Sequence, residues 1–97
     1  MKDEYQVVFT SEATEHIMEL VEFYDEKRMG LGDQFVDSLG EVVLGIKDNP
    51  RRWQYVEDAA SGMRRAIIRR PSVVILYQVV EKKIIIGTIK DARSNWK

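Results

Sequence analysis

The spacing of apolar residues changes twice along the chain, and each change predicts a different secondary structure. In residues 5–10 (YQVVFT) apolar side chains alternate in the manner of a short strand. The repeat then becomes helical, and this first helix should be capped by Thr10 or Ser11 and end near Met29-Gly30. A second helix follows the GLG segment and stops at Asn49-Pro50, because proline disfavours helical backbone in the residue before it.

Beyond Pro50 the period of two returns. Four segments are rich in β-branched and aromatic residues, namely WQYVE, MRRAIIRR, SVVILYQVV and KIIIGTIK. Gly62, Pro71 and Glu81-Lys82 separate them, which predicts an antiparallel meander of three or four strands. The order β-α-α-β-β-β(-β) defines an α+β fold, in which the two N-terminal helices pack on one face of an antiparallel sheet.

Two features of this fold predict close neighbours. Gly40 and Gly45 lie inside the second helix, where each costs roughly 1 kcal/mol relative to alanine, so we expect another element to approach closely there. The strand of residues 73–80 is apolar on both sides, with only Gln78 polar on its second side. Because two helices cover a single face, the other face is predicted to receive a protein partner.

A cluster of arginines lies beside this apolar strand. Alternation places Arg65 and Arg69 on one side of the preceding strand, and Arg64 and Arg70 on the other. Only one pair can therefore line any single anion or partner site. The alternative is that these arginines are solvated or pair with helix glutamates.

Composition narrows the functional classes. The 97 residues fit one domain, spanning 1–97, and the chain has no cysteine and a single histidine, which argues against a metal site; no cofactor is expected. No apolar run is long enough to span a membrane, and the N-terminus lacks a signal-peptide core, so a cytoplasmic setting is expected. Residues 1–48 carry a net charge of −8 and residues 49–97 one of +7. This asymmetry indicates either a surface for phosphate or for an acidic partner, or mutual neutralisation of the two halves.

Several segments in order resemble the RelE/ParE superfamily of toxins from type II toxin-antitoxin systems. They are the SEA that starts helix one, FYDEKRMGLGDQFVDSL, DNPRRW, GMRRAIIRR, VVILYQV, KKIIIGTIKDAR and the terminal Trp96. The resemblance covers nearly the whole chain. It implies a compact toxin encoded beside an antitoxin, whose C-terminal segment wraps the toxin and keeps it inactive in a hetero-oligomer.

The resemblance implies two kinds of target. RelE-like members cleave messenger RNA on the ribosome without a metal, and the matching basic positions here are Arg65, Arg69 and Arg93. The match is incomplete, since Ile67 and Val74 stand where further basic residues are expected and no tyrosine follows Arg93. ParE-like members instead inhibit DNA gyrase by binding. The sequence favours this branch, and therefore a toxin that is not an enzyme.

The candidate residues for binding the target or the antitoxin are Arg64, Arg65, Arg69, Arg70, Tyr77, Arg93 and Trp96. For Tyr77 the alternative is a core residue with its hydroxyl satisfied, and for Trp96 a plug at the edge of the core. A third hypothesis is a toxin without activity, retained in an autoregulatory complex on its own promoter. Growth on expression without antitoxin distinguishes that case from the other two.

Overall fold

The part of the chain that the structure describes forms two helices and four strands, in the order predicted from the sequence. The structure, a computed structural model, describes residues 4–56, 62–69 and 71–92. Its elements are β1 (Gln6–Phe9), α1 (Ser11–Lys27), α2 (Leu31–Asp48), β2 (Arg64–Ile68), β3 (Val73–Val80) and β4 (Lys83–Asp91). No helix within these ranges is long and apolar enough to cross a membrane.

Local chemistry sets the helix boundaries. The Thr10 hydroxyl accepts a hydrogen bond from the Ala13 N–H at 3.1 Å, so Thr10 is the N-cap of α1. Gly30 precedes α2 with a φ of 87°, a left-handed conformation that suits glycine. The Gly32 N–H donates to Asp25 Oδ1 at 2.8 Å, which satisfies one of the free donors at the start of α2 and joins the two helices.

The sheet has the order β1-β4-β3-β2. Strands β2, β3 and β4 form the predicted antiparallel meander, whereas β1 pairs with β4 in parallel, so the sheet as a whole is mixed. Of the predicted WQYVE strand, Tyr55 makes only an isolated bridge to Arg64. The α+β class and the helix placement are confirmed. The direction of β1 was not predictable, because the apolar period carries no information on strand direction.

The core lies between the helices and one face of the sheet. Its fully buried side chains include Tyr24 and Phe35 from the helices and, from the strands, Ile68, Val73, Ile75, Tyr77, Ile84, Ile86 and Ile89. A bulge in β4 leaves Gly87 without a paired residue on β3, since Leu76 pairs with Thr88 and Tyr77 pairs with Ile86. The extra residue allows both Ile86 and Ile89 to face the helices.

The glycines of α2 differ in what surrounds them. A Cβ on Gly32 would lie 2.8 Å from the Val21 carbonyl oxygen, so only glycine fits against α1 here. A Cβ on Gly40 or Gly45 would meet no atom of another element within 4 Å. The close neighbour predicted at those two positions is therefore absent from the described part of the chain.

Candidate partner-binding surface

The sheet face that points away from the helices is only partly covered, and we call it the open face. Its residues alternate along each strand with the buried core residues, and all are exposed or half-buried. They are Gln6, Val8, Arg65, Ile67, Val74, Leu76, Gln78, Val80, Lys83, Ile85, Thr88 and Lys90.

Strand register places the apolar members of the open face side by side. Ile67 of β2 lies opposite Val74 of β3, and Leu76 follows on the same face. Ile85 lies between Gln78 and Val8 in the next two strands. The result is an apolar surface that crosses all four strands.

Charge is segregated between the two sides of the molecule. Every charged strand residue on the open face is a cation, namely Arg65, Lys83 and Lys90. The helices on the other side contain ten acidic residues and two basic ones. The predicted division of charge therefore corresponds to a cationic sheet face and an acidic helix layer.

Arg64 lies on the opposite side of β2 from Arg65 and is almost fully buried. Its Nη1 donates hydrogen bonds to the Trp53 carbonyl at 2.6 Å and to the Arg51 carbonyl at 3.2 Å. The guanidinium also lies 4.0 Å from the centroid of the Tyr55 ring, a cation–π contact. Arg64 thus fixes the segment that follows α2.

Tyr77 is directly opposite Arg64 on β3 and supports the same segment. Its side chain is fully buried, and its hydroxyl donates to the Pro50 carbonyl at 2.7 Å. Burial raises the pKa of Tyr77 to about 12, although the positive charge of Arg64 acts in the opposite direction. The environment of Tyr77 is that of a core tyrosine whose hydroxyl is satisfied.

The raised pKa of Tyr77 predicts a loss of stability at alkaline pH. In the unfolded chain the phenol ionises near pH 10, whereas the folded protein holds the proton until about pH 12. Between these values the unfolded state binds fewer protons, so stability falls by about 1.4 kcal/mol per pH unit. Denaturant unfolding of the wild type and Tyr77→Phe at pH 9 and 11 measures this slope. Equal slopes for the two proteins would contradict the assignment.

The structure describes two of the other predicted site residues. Arg65 is exposed on the open face, and Arg69 is exposed in the turn after β2. The two arginines are four positions apart, which is at most about 13 Å along an extended strand. Arg70, Arg93 and Trp96 lie outside the described residues, so the role predicted for each remains a prediction.

A groove of about 480 Å³ adjoins the open face at the edge of β2. Residues 54–56 run beside β2, where the Arg65 N–H donates to the Gln54 carbonyl at 3.0 Å. The groove is lined by Trp53, Gln54, Tyr55, Val56, Arg65 and Ile67. This groove was not predictable from the sequence, because the contacts of Arg64 with residues 51–55 carry no signal in the period of two.

A second polar arrangement lies between α1 and β4. Asp91 is buried and accepts a hydrogen bond from the Tyr24 hydroxyl at 2.5 Å. The Ile89 N–H donates to His16 Nδ1 at 3.3 Å beside a groove of about 460 Å³. In the ranges that the structure describes, no group of three or more histidine, aspartate or glutamate side chains could hold a metal ion.

Comparison with known proteins agrees with this architecture. Residues 7–96 match the family described as "ParE toxin of type II toxin-antitoxin system, parDE". Among solved structures, the chromosomal ParDE system of P. aeruginosa aligns with a TM-score of 0.78 at 15% identity, covering 93% of this chain and 98% of that one. A mutant of the E. coli toxin RelE in the free state aligns with a TM-score of 0.62 at 15% identity, covering 95% and 87%. No curated protein matches the sequence significantly.

Two helices on one face of a four-stranded sheet form the fold that this chain shares with the ParDE and RelE structures, and with the family match they define the class, the RelE/ParE superfamily of toxins. The family match spans nearly the whole chain. The chain belongs to the ParE toxins of type II toxin-antitoxin systems.

Proposed function

We propose that this toxin arrests growth by binding a cellular target, DNA gyrase, and that a cognate antitoxin neutralises it by covering the open face. The carrying observation is the apolar surface across the four strands, whose only charged strand residues are Arg65, Lys83 and Lys90. Such a surface suits a partner segment with apolar side chains and acidic flanks that orders on binding. The toxin and antitoxin would then form a cytoplasmic hetero-oligomer.

Binding, rather than hydrolysis, is also supported by the surroundings of the titratable groups. Cleavage through the ribose 2′-hydroxyl needs a base, an acid and cationic stabilisation of the phosphate. Tyr77 is buried, and its hydroxyl donates a hydrogen bond to the Pro50 carbonyl. His16 lies on the helix side of the sheet, where its Nδ1 accepts a hydrogen bond from the Ile89 N–H. Neither group lies beside Arg65 on the open face.

A second candidate function is the ribosome-dependent mRNA endoribonuclease that uses Arg65, Arg69 and Arg93. The observation in its favour is the groove in which Trp53 and Tyr55 accompany Arg65, because aromatic rings and cations together suit single-stranded RNA. Under this alternative the target is the ribosome with its bound message.

Three measurements separate these functions. Expression without antitoxin should stop growth, and co-expression of the cognate antitoxin should restore it; unaffected growth would support the inactive, autoregulatory alternative. Purified toxin should block supercoiling of plasmid DNA by gyrase. Normal supercoiling at a large excess of toxin excludes that target, and shortened message on translating ribosomes would establish the nuclease instead.

The open face predicts a specific charge dependence of antitoxin binding. The double substitution Arg65→Glu and Lys83→Glu should weaken binding at least tenfold, because it places like charge opposite the acidic segment. Isothermal titration calorimetry at about 0.05 and 0.3 M salt should also show that the antitoxin affinity of this variant depends less on salt than that of the wild type. Glu22→Lys on the helix layer is the control and should bind unchanged. Equal loss in both variants would contradict docking on the open face.

A further inference from the structure

The outer side of α2 carries apolar side chains that nothing in the described structure covers. Val36 is 44% exposed and Leu44 is 67% exposed, and Gly40 lies midway between them on the same line of the helix. Asp33 and Lys47 extend this line by about one turn at each end. We call these five residues the α2 stripe.

Gly40 is the residue of the stripe that the isolated chain does not explain. Glycine within a helix is unfavourable by roughly 1 kcal/mol relative to alanine. The backbone here is helical, and a Cβ would meet no atom of another element within 4 Å, so neither conformation nor packing requires glycine. Absence of a side chain does allow a second helix to approach closely, between an exposed valine and an exposed leucine.

We propose that α2 pairs antiparallel with α2 of a second copy of this chain, on a two-fold axis at Gly40. An interface of this symmetry must be self-complementary, so each residue meets the one equally far on the other side of Gly40. Val36 then faces Leu44 of the second copy, and Asp33 faces Lys47. Both matches are favourable, apolar with apolar and acid with base, and each occurs twice in the dimer.

A further apolar residue continues the same register. Met29 is 93% exposed in the turn before α2. A groove of about 480 Å³ lies at the other end of the stripe and is lined in part by Leu44, Pro50 and Arg51. Antiparallel pairing brings Met29 of one copy to this groove of the other. The arrangement therefore offers a place for the Met29 side chain, the most exposed large apolar one among the described residues.

The rest of α2 limits the strength of the pair. Asp37 and Glu41 flank the stripe on one side, so Asp37 of one copy lies within one helical turn of Glu41 of the second copy, where like charges repel. One helix pair also buries less than the roughly 800 Å² per partner of a standard stable interface. The dimer should therefore be weak, depend on concentration and strengthen when Glu41 is made basic. Because the helix layer is opposite the open face, dimer and antitoxin binding are compatible.

Cross-linking tests the position of the axis. The natural chain has no cysteine, so Gly40→Cys introduces a single thiol. Under mild oxidation at 100 μM this variant should form a disulfide-linked dimer at least tenfold faster than Glu22→Cys, an exposed control on α1. Circular dichroism confirms the fold of each variant. Equal rates for the two variants would overturn the proposed pairing.

Charge exchange tests the register by sedimentation equilibrium. Asp33→Lys and Lys47→Asp should each weaken the dimer about threefold to tenfold, and the double variant should restore it, since each copy then regains an opposite charge across the axis. Glu41→Lys should tighten the dimer. A wild type that stays monomeric at millimolar concentration, or a double variant weaker than both single variants, would overturn the proposal. These outcomes are independent of gyrase inhibition.

Discussion

Replacement of Arg64 by leucine is expected to lower the free energy of unfolding by about 3 kcal/mol. The guanidinium donates to the Arg51 and Trp53 carbonyls in a nearly buried position, and hydrogen bonds from a charged group contribute roughly 1.5–3 kcal/mol. The contact with the Tyr55 ring adds about 1 kcal/mol, and the apolar area of leucine offsets part of the loss. Chemical denaturation at pH 7, monitored by circular dichroism, measures the difference.

The neighbouring arginine is a matched control. Arg65 has the same side chain on the same strand but is exposed on the open face, so Arg65→Leu should change stability by less than about 0.5 kcal/mol. Arg64→Lys should give an intermediate loss, because an ammonium can donate to the carbonyls but lacks the planar guanidinium that lies over the Tyr55 ring. Similar stabilities of the Arg64→Leu and Arg65→Leu variants would contradict the anchoring role of Arg64.

This anchoring affects how binding experiments on the arginines must be interpreted. Trp53 and Tyr55 line the groove beside the open face, and Arg64 holds the backbone from which both project. Substitution of Arg64 would therefore displace groove residues even if no partner touches Arg64 itself. A loss of binding in Arg65→Glu would show that the open face contacts the partner. The same loss in Arg64→Leu would show that the groove residues depend on the buried arginine for their position.

The helices and strands were predictable from sequence, because burial of one face imposes a regular spacing of apolar residues on each of them. The two helices have apolar stripes that match the single face they cover, and Thr10 and Asn49-Pro50 mark their limits within two residues. The meander was predictable for the same reason. The parallel pairing of β1 was not, because strand direction depends on which edge the chain reaches after the helices.

The site was predictable only in part. Alternation separated Arg64 from Arg65 but did not show which of them faces the helices. A usable signal was present, since Arg64 shares its side with Ala66 and Ile68, whereas Arg65 shares its side with exposed Ile67. The hydrogen bond from Tyr24 to Asp91 joins residues 67 positions apart, and no local sequence pattern predicts such a contact.

Gly32→Ala is expected to destabilise the protein by about 3 kcal/mol although alanine is the better helix former. The new Cβ would lie 2.8 Å from the Val21 carbonyl oxygen and from Asp25 Oδ1, closer than packed atoms allow. Forcing the helices apart costs roughly 1–3 kcal/mol, and displacement of the Asp25 carboxylate removes its 2.8 Å hydrogen bond to the Gly32 N–H. The gain in helix propensity, about 1 kcal/mol, offsets only part of this.

The same substitution at Gly40, farther along the helix, should have the opposite effect on stability. Gly40 is about 12 Å from Gly32 at a rise of roughly 1.5 Å per residue, and a Cβ there meets no atom of another element within 4 Å. Gly40→Ala should therefore stabilise the monomer by up to about 1 kcal/mol through helix propensity alone. Thermal and urea unfolding at micromolar concentration, where the monomer predominates, compares the two variants. Destabilisation by Gly40→Ala equal to that of Gly32→Ala would show that helix packing against Val21 is not what requires glycine at position 32.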